Sequence, residues 1–190
     1  LVANHLSYVD IIVLAARLDC TFIARSDVAH WPIIGLLCRS MGTIFIDRAS
    51  RSDIPRVIAL MEEAIGRGQG VVLFPEGTSS EGAKVLKFNS SLLEPAARAG
   101  YPVSYASLSY RTPPGCVPAR LSVCWWGDMT FTRHLLDLLR VPEFTATLIF
   151  GAQTIQDGDR KALARRLWQA VDEQFIPVVT AEEQCSATVY

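Results

Sequence analysis

The stretch Val71-Val72-Leu73-Phe74-Pro75-Glu76-Gly77-Thr78 decides the fold class. Its first four residues are apolar without a break, the pattern of a strand buried on both faces of a sheet. Pro75 and Gly77 then force a turn, Pro75 by restricting the backbone and Gly77 by admitting a positive φ. A strand covered on both faces needs helices above and below it. Outward from this centre, strand-like runs stand at 21–24, 43–46, 103–109, 121–125 and 145–150. They alternate with helix-like runs, which predicts an α/β sheet covered by helices.

The clearest helix starts at Asp53, a candidate N-cap, with Pro55 in its first turn. Ile54, Val57, Ile58, Met61 and Ile65 mark its apolar stripe, and Gly66 or Gly68 ends it. A second helix spans about 159–175, where Leu163, Leu167, Val171 and Phe175 recur every four residues. Shorter helices are predicted at 9–18, 33–40, 91–99 and 131–139. The segment 111–118 contains three Pro and a Gly and reads as a loop.

The chain has 190 residues, room for one domain with its own core. Half of them are hydrophobic, yet no run reaches the ~18 apolar residues of a membrane span. The longest apolar region, 31–46, is broken by Pro32, Gly35, Arg39 and Gly42, and reads as a buried or interfacial segment. A net charge of −1 argues against a nucleic-acid partner, which calls for a basic face. Cysteines at 20, 38, 116, 124 and 185 show neither metal-ligand nor redox spacing, so reduced thiols facing the cytosol are expected. The chain does not open on Met, and an upstream segment such as a membrane anchor is expected.

Near the amino terminus stands Asn4-His5-Leu6-Ser7-Tyr8-Val9-Asp10. Five steps on a regular helix leave two side chains about 140° apart. His5 and Asp10 therefore meet only if His5 lies in the turn before the helix and Asp10 reaches back from its first turns, with Asn4 or Ser7 as the cap. In that arrangement Asp10 fixes the tautomer of a His5 general base. The plain alternative is a capping Asp beside an incidental His. A second block, Gly42-Thr43-Ile44-Phe45-Ile46-Asp47-Arg48, places Arg48 at a strand's carboxyl end, where ligands of α/β sheets gather. Arg48 suits a phosphate through paired, charge-assisted hydrogen bonds; a surface pair with Asp47 is the alternative. In the third block, the turn holds Glu76 at the sheet edge, free to accept from a polyol or to pair with Arg48. A solvated turn Glu is the alternative there.

These three blocks, in this order, resemble the glycerolipid acyltransferase family typified by 1-acylglycerol-3-phosphate acyltransferases. The resemblance implies an α/β fold with a single mixed, largely parallel sheet covered by helices, formed by residues 1–178, with 179–190 as a flexible tail. It implies an O-acyltransferase that moves a fatty acyl group from an acyl-CoA or acyl carrier protein thioester to a lysolipid hydroxyl. His5 and Asp10 are its catalytic pair; Arg48, Glu76, Gly77 and Thr78 bind the acceptor. Neither metal nor cofactor is called for, because the thioester is already activated. Lysophosphatidate is the default acceptor. Many members carry Arg directly after the Thr, whereas this chain has Ser79, so a lyso-amino lipid such as lyso-ornithine lipid is the leading variant. A membrane surface at the cytoplasmic face of the inner membrane is the expected location, with 31–37 as a candidate contact or, equally, a piece of core. Trp125 and Trp126 read as packing, His30 and His134 as structural. A non-catalytic lipid binder of the same fold, or a thioesterase, is the competing reading.

Overall fold

The computed structural model describes residues 1–31, 34–47, 50 and 52–179. In chain order its elements are β1 (Val2–Ala3), α1 (Val9–Ala15), β2 (Cys20–Arg25), α2 (Ile34–Ser40), β3 (Ile44–Ile46), α3 (Asp53–Gly66), β4 (Gly70–Val72), α4 (Glu94–Ala99), β5 (Tyr105–Arg111), α5 (Ala119–Ser122), α6 (Phe131–Leu138), β6 (Thr145–Phe150) and α7 (Arg160–Gln174). Short 3-10 turns occupy Ser26–His30 and Ser91–Leu93.

Two three-stranded ladders, β3-β2-β4 and β1-β5-β6, make up the sheet. They join where Val2 bridges Leu73 in parallel. There the Ala3 N–H donates to the Leu73 carbonyl (3.1 Å) and the Leu73 N–H to that of Leu1 (2.9 Å). Every strand pairing is parallel except that of β5 with β6. The result is the single mixed, largely parallel sheet that the family resemblance implies.

Strand alternation sends Val71 and Leu73 to one core and Val72 to another on the opposite face. The first core takes Val57, Met61 and Ala64 of α3 and Leu163, Leu167 and Val171 of α7. The second takes Leu14 of α1, Ile34 and Cys38 of α2, and Val123 and Cys124. Hence the unbroken apolarity of 71–74: each residue has a core to enter.

Several expectations shift. The apolar run 121–125 does not form a strand. Pro118 precedes the short helix α5, and Val123 and Cys124 then pack into the second core as loop. β6 rather than 121–125 pairs with β5. β5 begins at Tyr105, leaving Val103 in a single bridge to Ile155. β1 is only two residues long, too short to carry a periodic signal. α1 stops at Ala15, short of 18. In α3, Ala64 rather than Ile65 completes the stripe, and Ile65 is exposed. Asp53 is the first helical residue, not the cap; its carboxylate accepts from the Asp47 N–H (2.7 Å) and pairs with Arg56. Val178 is tied to Gly82 (2.8 Å) and Val179 is buried, so packed chain reaches into the start of the expected tail. Residues 180–190 lie outside the described residues.

Candidate active site

The site starts where β1 ends. Asn4 does not cap α1. Its amide instead extends the β1 ladder by side chain, accepting from the Leu108 N–H (2.7 Å) and donating to the Leu108 carbonyl (3.0 Å). This two-point tie to β5 fixes the turn that carries His5. Ser7 does not cap either, and its buried hydroxyl meets no partner among the described residues.

His5 sits before α1 and Asp10 in its first turn, as the angular argument requires. The His5 Nδ1 lies 2.8 Å from Asp10 Oδ2. Asp10 is 0% exposed and faced by donors alone. Oδ2 also accepts from the N–H groups of Leu6 (2.7 Å) and Ser7 (3.1 Å), and Oδ1 accepts from the Tyr110 hydroxyl (2.6 Å). Four donors are the surroundings of a carboxylate. The proton of the imidazole is thereby placed on Nδ1, leaving Nε2 as an acceptor. The ring stacks on Phe74, with centroids 4.3 Å apart and planes 20° from parallel.

The turn after β4 grips the backbone of His5 at two points. Glu76 Oε1 accepts from the His5 N–H (3.1 Å), and the Ser80 N–H donates to the His5 carbonyl (3.0 Å). Glu76 is thus turned inward, not presented to a polyol as expected. Its Oε2 is buried without a hydrogen-bond partner among the described residues. Burial pushes the Glu76 carboxyl up to about 8, against the downward pull of the N–H groups of His5 and Leu86; nearby Asp10 adds to the rise. Gly77 takes φ +79°, the conformation anticipated for it. Gly77, Thr78 and Ser79 line a small cleft of about 100 Å³ together with His5, Tyr8, Ile11, Trp31, Phe74 and Trp125. Arg48 lies outside the described residues, as does Arg51, so the expected phosphate clamp has no geometry here.

On the other side of Phe74 and Gly77 lies a second, largely apolar cavity of about 240 Å³, lined by Ile46, Ile54, Leu73, Leu92 and Leu93. It opens at the carboxyl ends of β3 and β4. A larger cavity of about 560 Å³ lies between β3 and α3, around Asp53 and Arg56, and is lined by none of the described candidates His5, Asp10, Glu76, Gly77 and Thr78.

Tyr110 escaped the sequence reading. It lies 100 positions from Asp10, and its only local signal is the alternation Ser107-Leu108-Ser109-Tyr110, which marks a strand and nothing more. The remaining aromatic residues pack as expected. Trp125 and Trp126 donate to the carbonyls of Met129 and Arg120 (2.8 Å each). His134 is buried, its Nδ1 2.9 Å from the Tyr8 hydroxyl, and burial lowers its pKa. Trp31 packs edge-on against Trp125 (5.2 Å) and beside Phe131 (5.1 Å), so it belongs to the wall of the cleft; Ile34 is buried, and Leu36 is exposed.

Residues 1–108 match the family model described as Acyltransferase. A lyso-ornithine lipid O-acyltransferase of Rhizobium meliloti (strain 1021) is 33% identical over 181 residues, covering 89% of this chain and 62% of the relative. A 1-acyl-sn-glycerol-3-phosphate acyltransferase of Neisseria gonorrhoeae is 32% identical over 183 residues, covering 95% of this chain and 69% of the relative. Among solved structures, the 1-acyl-sn-glycerophosphate acyltransferase of Thermotoga maritima superposes with a TM-score of 0.52 at 26% identity, over 90% of this chain and 64% of that one. The chain therefore spans about two thirds of the length of these relatives.

Proposed function

The chain belongs to the acyltransferase family, and from that premise we propose that it transfers a fatty acyl group from a thioester to the free hydroxyl of a lysolipid. One observation carries the reading: the 2.8 Å contact between His5 and a buried, donor-saturated Asp10, with the imidazole lining a cleft. The acceptor hydroxyl gives its proton to His5 Nε2 as its oxygen attacks the thioester carbonyl carbon. Asp10 stabilises the imidazolium so formed. The tetrahedral adduct then expels the thiolate, which takes the proton back from His5. The carbon–sulfur bond breaks, the ester carbon–oxygen bond remains, and no acyl-enzyme forms. The thioester is activated from the outset, so positioning of the hydroxyl supplies much of the rate.

Arg48 serves as the anchor for a head-group phosphate or carboxylate, and Gly77 and Thr78 shape the acceptor side of the cleft. The apolar cavity behind Phe74 suits part of an acyl chain. Coenzyme A or acyl carrier protein supplies the thiol. The relatives named for lysophosphatidate and for lyso-ornithine lipid give two acceptor classes, and Ser79, in place of a cation, favours the second. The reaction is placed at the cytoplasmic face of a membrane; the free thiols of Cys20, Cys38, Cys116 and Cys124 suit a reducing compartment.

A thiol-release assay with acyl-CoA, with and without each of a panel of lysolipids, tests the reading. Acceptor-dependent release that vanishes in His5→Ala is expected. Release without an acceptor points to a thioesterase, and no release at all to a lipid-binding protein. Mass spectrometry of the products identifies the acceptor. Arg48→Ala should raise KM for the acceptor far more than for the thioester; equal effects would remove the clamp role.

A further inference from the structure

Acyl transfer puts a negative charge on the former carbonyl oxygen, and something in the cleft must meet it. The turn after β4 is built in a way that singles out its donors. Its two ends are fastened to one residue: Glu76 holds the N–H of His5 and Ser80 holds its carbonyl. Residues 77–79 therefore arch beside the same imidazole whose Nε2 is left to accept the hydroxyl proton. Gly77 spends its own N–H on the Phe74 carbonyl (3.1 Å), closing a turn, and its φ of +79° redirects the chain beyond it. The next two N–H groups, of Thr78 and Ser79, meet no acceptor among the described residues. Both residues line the cleft with His5. Consecutive N–H groups after a left-handed glycine form a concavity that suits an anion.

Resting on the acyl-transfer reading above, we infer that the backbone N–H groups of Thr78 and Ser79 form the oxyanion hole of this site. As the acceptor oxygen bonds to the carbonyl carbon, the π pair moves to the carbonyl oxygen, and these two amides donate to it. When the pair returns, the thiolate leaves. The donors are backbone atoms, so this stabilisation does not depend on which side chain stands at position 79. The arch also couples base and oxyanion donors: any movement of His5 moves both ends of the loop that presents the amides.

The test replaces each amide singly. Cell-free translation places alanine or its ester counterpart, lactic acid, at position 78 and separately at position 79, so Thr78→Ala and Ser79→Ala serve as side-chain controls. The lysolipid that the parent protein uses best is the acceptor, and circular dichroism checks the fold of each form. Each alanine form is the reference for its own lactate form, so that any cost of Thr78→Ala in acceptor binding is carried by both members of the pair. Each lactate form should lose on the order of 10²–10³ in kcat relative to its alanine counterpart, with KM for the thioester unchanged. Lactate forms that turn over within threefold of their alanine counterparts overturn the assignment while leaving acyl transfer intact. A parent with no acceptor-dependent release overturns the reading it rests on and the assignment with it. The two positions are independent, so if one ester form does not fold, the other decides.

Discussion

Tyr110 holds Asp10 from the side away from His5 Nδ1 through a single hydroxyl. It is 2% exposed, and its hydroxyl fills Asp10 Oδ1 at 2.6 Å. Tyr110→Phe leaves that oxygen buried and unpaired, at a cost of about 1–3 kcal/mol in stability. The carboxylate gains freedom to rotate away from His5, so kcat should fall by about tenfold or more while KM for the thioester holds. An unchanged kcat would show that Asp10 is held well enough by the N–H groups of Leu6 and Ser7. Glu76 supports a different prediction, because its folded pKa of about 8 exceeds its ordinary value of 4.5. The folded state then retains a proton that the unfolded chain has lost, and stability declines as pH rises through the window from 4.5 to about 8. Glu76→Gln keeps an acceptor for the His5 N–H and removes the titration. Its thermal midpoint should gain on the parent's steadily between about pH 5 and pH 8; parallel curves would show that Glu76 does not titrate in that window. The contact of His5 with Asp10 and the positive φ of Gly77 were legible because each depends on neighbours within a few positions. The inward turn of Glu76 and the reach of Tyr110 depend on strands brought together only by folding.

Among the elements, α7 was read almost to the residue. Leu163, Leu167 and Val171 line one face and are buried, and Asp159 caps the helix by accepting from the Ala162 N–H (2.7 Å). Asp159→Ala should cost about 1 kcal/mol in denaturant-measured stability, and Leu167→Ala about 2–5 kcal/mol through the cavity it leaves. If the Asp159→Ala loss is the larger, α7 owes more to its cap than to the packing of Leu167. The run 121–125 shows the opposite case. Its apolar composition fits a buried strand, but apolar residues also serve a helix end and a loop, and here Ala119–Ser122 is helix while Val123 and Cys124 enter the second core. Short elements fail for a related reason. β1 has two residues, and its identity as a strand follows wholly from its neighbours β5 and Leu73.

At the scale of the whole molecule, the sheet brings its functional turns to one place. The turn after β1 carries His5, and the turn after β4 clasps its backbone. The end of β2 contributes Arg25 to the cleft wall. Trp31 and Trp125 complete that wall, and α2 and α6 start at the aromatic cluster they form with Phe131. Both helices then carry apolar side chains outward: Leu36 is 66% exposed and Leu139, just past α6, is 73% exposed. No described helix is long and apolar enough to cross a membrane. On the proposed acyl-transfer reading a lipid acceptor must leave its bilayer to reach His5, so exposed leucines on the helices that begin at the cleft are the expected contact. Burying one such side chain is worth about 1.5–3 kcal/mol. Leu36→Glu combined with Leu139→Glu should therefore lower liposome binding, measured by flotation, by at least tenfold while leaving the thermal midpoint near the parent's. Trp31→Glu should do the reverse of a surface change: it places a charge in the aromatic cluster and should lower the thermal midpoint sharply. A doubly substituted leucine variant that floats like the parent would move the membrane contact elsewhere on the molecule, and a Trp31→Glu variant that melts like the parent would return Trp31 to the surface.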